Sequence, residues 1–443
     1  MPHARDPFKG CDDFRRARRP VSFTRRQAVV GGLSIYAASA LAPASRLLDV
    51  ARAQAAPDAP VLVSVFLPGG CDLLSTLVPL EQAGKLADLR RSLGTDTPPP
   101  TGADSRVALH PSLSEGLDGG VRGLFEAGKV GFLPGIDYAN PDLSHFHSRH
   151  FWETGLITER SAPGWLGRWL DRHGGADNPL QGLSLGGLSP VLRTGSAPVA
   201  AVDDPGDAQL NFGGTWGTGA DLVRAAWSRL AAEGSGGGAG PVAARRAAAL
   251  ARDIGDRLAP FAREDKSAPD PLAPPVEYPK DSDFAERLSR LAGLLAQPLG
   301  VRVASVEAPG DFDTHDEQPK ELAAALREVS QGLAAFQADL EARGIADRVL
   351  TFVWSEFGRR PQSNDSRGTD HGAGGIAWVQ GTRARGGVLT DYPDLGRLDR
   401  NDNLAVTVDF RRVYCSLLEG WLGTNAAEVI PGAPGFGRIA VTR

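Results

Sequence analysis

Cysteine is scarce in this sequence. The 443 residues include three cysteines, Cys11, Cys71 and Cys415. Cysteines so few and so far apart form neither the disulfide framework of a small secreted domain nor the paired spacing of a zinc finger. A single bridge between Cys71 and Cys415 is an open alternative that we do not expect.

Long apolar runs and an excess of positive charge are also lacking. After residue 55 no segment approaches the roughly 20 apolar residues that a spanning helix needs, so we expect no stable membrane span. The formal net charge is −5, and an acidic surface does not favour nucleic acid or anionic lipid. The chain also lacks a recognisable redox cofactor motif, which disfavours an oxidoreductase.

The first 55 residues have the pattern of an export signal. Paired arginines are followed by an uncharged stretch, QAVVGGLSIYAASALAPAS, and then by ARAQA, which contains an A-x-A arrangement. This order of basic, mildly apolar and small residues is typical of a signal peptide. The tract SFTRRQAVV fits a twin-arginine signal. We therefore expect a periplasmic or extracellular protein and a twin-arginine translocase as its partner during export; the alternative is an uncleaved anchor.

Residues 56–443 are predicted to form a single α/β domain. Four apolar runs read as buried strands, at 61–67, 129–135, 301–307 and 348–354. Apolar residues at steps of three and four predict a helix over 320–343, which would connect the last two strands as a β-α-β unit. A further helix is predicted to start at Asp409 as its cap. Residues 175–290 show a weaker pattern, and we interpret them as an insertion or cap.

The first predicted strand is followed by a candidate carboxylate. Asp72 lies in PGGCDLLS, directly after residues 61–67. Ligands of open parallel sheets bind beyond the carboxyl ends of the strands, so a carboxylate there could point into the binding crevice. The alternative is a turn residue that caps the next helix.

Three later segments carry acidic, histidine and arginine side chains near predicted strand ends. Carboxylates and imidazoles are ligands of divalent metals such as zinc, manganese, calcium or magnesium. Two separate acid–histidine pairs are hard to explain as core packing. The candidate metal ligands, together with Asp72, are Asp313 and His315 in GDFDTHDE, Glu356 in SEFGRR, and Asp370 and His371 in GTDHGAGG. In the second segment Arg359 could bind a carboxylate or phosphate.

A histidine-rich segment supplies candidates for catalysis. SHFHSRH, residues 144–150, places three of the eight histidines beside Ser144. At a helix start Ser144 would lie where a nucleophile or a bound anion is favoured. His145 or His147 could then act as acid or base, and Arg149 could bind an anionic substrate. The alternative is an exposed polar helix.

Nine motifs occur in the order found in the domain of unknown function 1501 family, and the chain resembles that family over roughly residues 60–425. The motifs are LVSVFLPGGCDLLSTLVPL, ALHPSL, LFEAGKVGFLPG, SHFHSRHFWETG, GWLGRWLD, GDFDTHDEQ, SEFGRR, GTDHGAGG and TVDFRRVYCSLLEGWLG. Members typically carry twin-arginine signals, as this chain does.

The family in turn resembles the alkaline phosphatase and sulfatase superfamily. That resemblance implies a three-layer α/β/α fold with a mostly parallel central sheet, and a metal site at its carboxyl edge. It matches Asp72, Asp313 and His315 to metal ligands, with Asp370 and His371 as late ligands.

This chain departs from the superfamily pattern at two places. Glu356-Phe357 replaces the usual Asp-His pair, which reduces a two-metal site to one. The sulfatase nucleophile position falls on His145, so either Ser144 acts in a shifted loop or covalent chemistry is lost.

The resemblance implies a secreted metal-dependent hydrolase of phosphate or sulfate esters, acting on a small molecule or a polysaccharide. The alternative is a non-catalytic, metal-stabilised binding or structural protein. A metal position left open beside Ser144 would favour the hydrolase, whereas a site closed by protein ligands would favour the alternative.

Overall fold

A computed structural model describes residues 59–94, 100–202, 239–261 and 269–443, together with four single positions between 203 and 238. The export signal predicted for residues 1–55 lies outside the described residues. Among those described, no helix has the length and apolar character needed to cross a membrane.

The described part of the chain is built on a nine-stranded central sheet. Eight strands follow the order β12-β4-β11-β8-β1-β7-β5-β6, and β13 pairs with β4. The bounds of these strands are β1 Val61–Phe66, β4 Val130–Asp137, β5 Gly182–Leu185, β6 Ala200–Val202, β7 Val303–Glu307, β8 Val349–Trp354, β11 Gly375–Gln380, β12 Gly387–Val388 and β13 Val408–Asp409. The remaining strands form two small antiparallel sheets, one of β2 Leu77–Pro79 with β3 Val107–Leu109 and one of β9 Gly358–Ser363 with β10 Thr369–Gly372.

Helices cover both faces of the sheet. The described helices are α1 Leu73–Thr76, α2 Ala83–Leu89, α3 Gly120–Glu126, α4 His145–Thr154, α5 Trp165–His173, α6 Ala239–Leu258, α7 Asp283–Leu295, α8 Gln318–Ala342 and α9 Phe410–Gly420. One apolar core contains the inward residues of α3, α7 and α8, and the other contains those of α4, α5 and α9. The architecture is therefore a three-layer α/β/α fold with a mostly parallel sheet, as predicted.

Strand β1 lies at the centre of the sheet because both of its faces are apolar. Alternate residues Val61, Val63 and Val65 enter one core, whereas Leu62 and Phe66 enter the other. Such a strand must be covered on both sides, which explains its continuous apolar run. The strand pairs in parallel with β7 on one edge and with β8 on the other.

The four strands predicted from apolar runs are confirmed as β1, β4, β7 and β8. The helix predicted over 320–343 is confirmed as α8, which crosses from β7 to β8 over one face of the sheet. The helix predicted to begin at Asp409 is α9, and the Asp409 carboxylate accepts a hydrogen bond from the Arg411 amide as a cap.

The region 175–290 contributes to the main sheet as well as covering it. Strands β5 and β6 fall within this region and extend the sheet beyond β7 in parallel. The apolar face of α7 belongs to the same core as α8. Weak apolar periodicity concealed these strands because they are short, with four and three residues.

The two described cysteines lie on opposite faces of the sheet. Cys71 belongs to the core beneath α8, and Cys415 belongs to the core beneath α4 and α9. Both thiols are buried and unbridged.

Candidate functional site

The candidate site residues converge because four strands present the same end to one edge of the sheet. Strands β1, β7 and β8 are neighbours and parallel. Strand β11 runs antiparallel to both β8 and β4, so β4 also ends at this edge. The chain leaving these strand ends, and the β10 hairpin strand before β11, carry the acidic and histidine residues. This edge is where ligands of open α/β sheets bind.

Three of these side chains form a group with the spacing of metal ligands. His145, Asp313 and His371 each offer one ligand atom, and these atoms lie within 4.8 Å of one another. His371 Nε2 lies 2.9 Å from Asp313 Oδ1, and His145 Nε2 lies 3.4 Å from Asp313 Oδ2. His145 and Asp313 are buried, while His371 is partly buried. We call this group the His-Asp-His cluster.

Each histidine of the His-Asp-His cluster is oriented through its other ring nitrogen. His145 Nδ1 lies 2.9 Å from Glu356 Oε1. His371 Nδ1 lies 2.9 Å from the carbonyl oxygen of Leu143. Such bonds fix the orientation of each ring, so Nε2 of each histidine faces the Asp313 carboxylate. Leu143 supplies its carbonyl from a left-handed backbone conformation, with φ of 45°.

Glu356 is itself held by the backbone. Its carboxylate accepts hydrogen bonds from the Gly69 amide at 2.9 and 3.1 Å and from the Gly70 amide at 3.2 Å. The side chain is fully buried. Glu356 therefore contacts the His-Asp-His cluster through His145 Nδ1, and it fixes the orientation of that ring.

Asp313 is the centre of the arrangement. Its Oδ1 atom accepts a 2.6 Å hydrogen bond from Arg359, whose side chain is 0% exposed. The Arg359 guanidinium also donates to the carbonyl oxygens of Gly69, Gly70, Phe312 and Thr369. All three guanidinium nitrogens of Arg359 therefore donate to acceptors within the protein. The structure therefore places Arg359 as a brace that joins two loops and strand β10, away from solvent.

The electrostatics of the cluster favour the charged forms of Asp313 and His145 and the neutral form of His371. Burial raises the pKa of Asp313, but hydrogen bonds from His145, His315 and His371 outweigh burial and lower it well below its usual range. Burial lowers the pKa of His145, yet the carboxylates of Asp313 and Glu356 raise it to about 9. Burial lowers the pKa of His371. Without a metal ion, His145 is therefore protonated at neutral pH.

His315 and Asp370 lie on the outer side of the cluster. His315 Nε2 is 3.0 Å from both Asp313 Oδ1 and His371 Nε2, and His315 Nδ1 is 3.2 Å from Asp370 Oδ1. Burial raises the pKa of Asp370, but hydrogen bonds from Asn364 and His315 outweigh burial and lower the pKa below its usual value. Asp370 is 57% exposed, so this pair forms the solvent side of the site.

Asp72 lies in a separate polar group beneath the site. Its carboxylate is ion-paired with the buried guanidinium of Arg90 and accepts a 2.5 Å hydrogen bond from Gln318. It also accepts from the Leu74 amide as the N-cap of α1. Burial raises the pKa of Asp72, but the ion pair with Arg90 outweighs it and lowers the pKa. Of the two interpretations of Asp72, the structure shows the capping one.

The histidine-rich segment divides its side chains between two environments. Helix α4 begins at His145, and Ser144 precedes it as the N-cap residue without a side-chain capping bond. His147 faces outward, with 43% of its side chain exposed, and bonds Asp142 at 2.8 Å. Arg149 pairs with Glu153 at 2.8 Å and Glu307 at 2.9 Å. Residues two apart on a helix point in different directions, so only His145 reaches the cluster.

Sequence reasoning missed the partners that orient the cluster. The Leu143 carbonyl and the amides of Gly69 and Gly70 are backbone groups, which no side-chain pattern reveals. The two adjacent glycines of the PGG tract were the one sequence signal of this contact. In the structure both have positive φ, and a Cβ at Gly69 would lie 2.3 Å from the Asp313 nitrogen. The PGG tract thus marks the close approach of the β1 loop to the β7 loop.

Residues 260–411 match the family described as "Protein of unknown function (DUF1501)". This finding supports the family indicated by the sequence motifs. The matched segment contains α7, α8, strands β7 to β13, and Asp313 and His371 of the cluster; β1 and His145 lie outside it. Among curated proteins, none gives a significant match to the chain.

Proposed function

We propose that this protein is an exported metal-dependent hydrolase of phosphate or sulfate esters, with one divalent ion held by His145, Asp313 and His371. The observation that carries the proposal is the pair of oriented histidines flanking one buried carboxylate. Three protein ligands leave a coordination position open, as in catalytic zinc sites, whereas structural sites are closed by four.

The donor set fits a divalent ion in its chemistry, because imidazole and carboxylate are usual zinc ligands. Neighbouring ligand atoms of a tetrahedral zinc ion are about 3.3–3.6 Å apart, and His145 Nε2 lies 3.4 Å from Asp313 Oδ2. His371 Nε2 lies 2.9 Å from Asp313 Oδ1, a hydrogen-bond distance, so loading would move these two side chains slightly apart. Because imidazole binds metal in its neutral form, loading would release the proton that His145 holds.

Ser144 is the proposed nucleophile because of its neighbours. It lies between Leu143, whose carbonyl orients His371, and His145, and it precedes the ten-residue helix α4. An ion at the cluster would supply Lewis-acid polarisation of a phosphoryl or sulfuryl oxygen. Ser144 Oγ would bond to phosphorus or sulfur as the ester alcohol leaves, and water would then release phosphate or sulfate.

Metal content of matched variants tests the ion. We expect one equivalent of divalent metal by elemental analysis in the full chain and in His147→Ala, and a loss of that metal in His145→Ala. The two histidines lie on the same helix, but only His145 contacts Asp313. A folded parent protein that holds no metal after supplementation with zinc, manganese, calcium and magnesium would overturn the proposal.

Hydrolysis of 4-nitrophenyl phosphate and 4-nitrophenyl sulfate tests the reaction. We expect turnover by the metal-loaded protein, and a loss of turnover with retained metal in Ser144→Ala. Stoichiometric metal without turnover of either ester would favour the alternative, a metal-stabilised binding protein.

A further inference from the structure

A polar cleft of about 800 Å³ lies beside the His-Asp-His cluster. It opens between the ends of β1, β5 and β7 and the start of α7. Its volume falls in the range of about 300–1,000 Å³ that is usual for small-molecule sites. Its charged lining consists of Arg149, Glu307, Asp283 and Arg287.

Two segments of the chain connect the cleft to the cluster. Arg149 lines the cleft one turn of α4 beyond His145, about 6 Å along the helix axis. Residues 307–310 line the cleft and lead directly to the loop that carries Asp313. A ligand in the cleft would therefore extend away from an ester group placed at the cluster.

The charges of the cleft are mixed. Arg149 is neutralised by its ion pairs with Glu153 and Glu307, and Asp283 adds a further carboxylate. With no net positive charge, the cleft does not attract a polyanion. It offers instead guanidinium donors and carboxylate acceptors side by side, which suit a ligand whose groups both donate and accept.

Arg287 is the side chain best placed to contact such a ligand. Within the described ranges it has neither an ion pair nor a side-chain hydrogen bond with another residue. Its guanidinium lies over Gly186, where a Cβ would be 3.5 Å from Cζ. Gly186 has φ of 98°, a backbone conformation that disfavours residues with a side chain. The missing side chain lets the Arg287 guanidinium lie close to the backbone of the cleft.

We infer that the cleft binds the carbohydrate part of the substrate, so that the ester hydrolysed at the cluster is a sugar phosphate or sugar sulfate. Sugar hydroxyls donate to carboxylates and accept from guanidinium groups, and the volume lies in the range of small-molecule sites. This inference rests on the proposed function for the ester group, but sugar binding itself requires neither metal nor turnover.

Saturation-transfer NMR and calorimetry on the full chain test the binding. The probes are neutral mono- to tetrasaccharides of glucose, galactose, mannose, rhamnose and N-acetylglucosamine, with citrate and inorganic phosphate as non-sugar anions. We expect at least one sugar to bind the parent and Arg172→Ala, and to bind Arg287→Ala about tenfold or more weakly, because a charge-assisted hydrogen bond is lost. Arg172 is an exposed arginine outside the cleft.

A variant that fills the cleft tests sugar binding independently of Arg287. Gly187 lines the cleft, and a Cβ there meets no atom within 4 Å, so Gly187→Trp can fill the cleft without a backbone clash. We expect it to lose sugar binding while retaining metal, and we expect Gly84→Trp, at another open glycine outside the cleft, to retain both.

Two results would overturn the inference: no binding of any sugar by the parent, or Arg287-dependent binding of citrate or phosphate alone. His145→Ala separates the two proposals, since it should lose metal and keep sugar binding. Sugar binding without metal or turnover would remove only the proposed function. Metal-dependent turnover of nitrophenyl esters without sugar binding would remove only the carbohydrate assignment.

Discussion

Asp72 and Asp313 are both buried carboxylates beside a buried arginine, but their other neighbours differ. Asp72 contacts Arg90, Gln318 and the amide of α1 that it caps. Asp313 contacts Arg359 and three imidazoles. The first set satisfies the Asp72 carboxylate with protein donors, whereas the second places the two histidines of the proposed metal site, His145 and His371, beside Asp313. We therefore assign Asp72 to stability and Asp313 to the site.

Asp72→Asn should destabilise the fold and leave metal content unchanged. Removing one partner of a buried ion pair costs about 3–5 kcal/mol, because the remaining charge is left uncompensated. Chemical denaturation measures this loss, and elemental analysis measures the metal. Loss of metal from the folded variant would return Asp72 to the ligand set.

The same variant should change the response to acid. The pKa of Asp72 is lowered in the folded protein, so its stabilising effect is present above the ordinary aspartate value of 3.8 and is lost as the pH falls below it. The difference in unfolding free energy between parent and Asp72→Asn should therefore shrink on acidification below about pH 4. A difference that stays constant from pH 7 to pH 3 would contradict the ion-pair role.

Glu356→Gln should weaken metal binding without abolishing it. Glu356 contacts His145 Nδ1 and not the ligand atom, and outer-shell partners of this kind typically contribute 10- to 100-fold in metal affinity. Titration with zinc measures the dissociation constant. Glu153→Gln is the matched control, since Glu153 is also buried but pairs with Arg149. An unchanged affinity in Glu356→Gln would contradict the positioning role.

For individual residues, the sequence indicated the kinds of side chain in the site better than their positions. Asp313, His315, His371 and His145 are brought together, and they were recognisable as a concentration of ligand types near strand ends. His145 faces the cluster and His147 faces solvent because of the way α4 packs against the sheet. The spacing of the histidines alone does not determine which of them faces inward. From the sequence, Arg359 could bind a carboxylate or phosphate of the substrate; in the structure its guanidinium bonds backbone carbonyls and Asp313 instead.

Among the elements, the loop between β1 and α1 fixes the position of the Asp313 loop. Gly69→Ala should therefore lower both stability and metal affinity, because its Cβ would lie 2.3 Å from the Asp313 nitrogen. Gly94 also has positive φ, at 95°, but a Cβ there meets nothing within 4 Å. Gly94→Ala should lose only about 1 kcal/mol from backbone strain and keep its metal. Calorimetry and zinc titration distinguish the two, and equal effects would contradict the packing account.

The long strands and the long helix were predictable because burial of their faces gives each a regular apolar pattern. Strands β1, β4, β7 and β8 are covered on both faces and read as apolar runs, and α8 packs one face on the sheet and reads as a stripe. Strand β11 was not predicted, although it joins β4 to β8, because GIAWVQ is short and follows a glycine-rich loop. The β9–β10 hairpin that carries His371 is polar, so its pairing leaves no apolar signature.

For the whole molecule, metal binding should be coupled to folding. The cluster draws its residues from the start of helix α4, from the loop after β7 and from strand β10, which meet only in the folded chain. At 100 times the dissociation constant, an ion that binds only the folded state adds about 2.7 kcal/mol to the unfolding free energy. Thermal melts with zinc and with chelator should show this rise in the parent and lack it in His145→Ala. A melting temperature indifferent to metal in the parent would contradict the coupling.

The central place of β1 has a consequence for biosynthesis. Its partner β7 leaves the ribosome about 240 residues later, which at usual rates of synthesis is roughly 10–50 s. During that time VLVSVF is an apolar strand with two open edges, the kind of segment that aggregates. Shielding of this segment until translation has passed β8 would therefore lower the risk of aggregation.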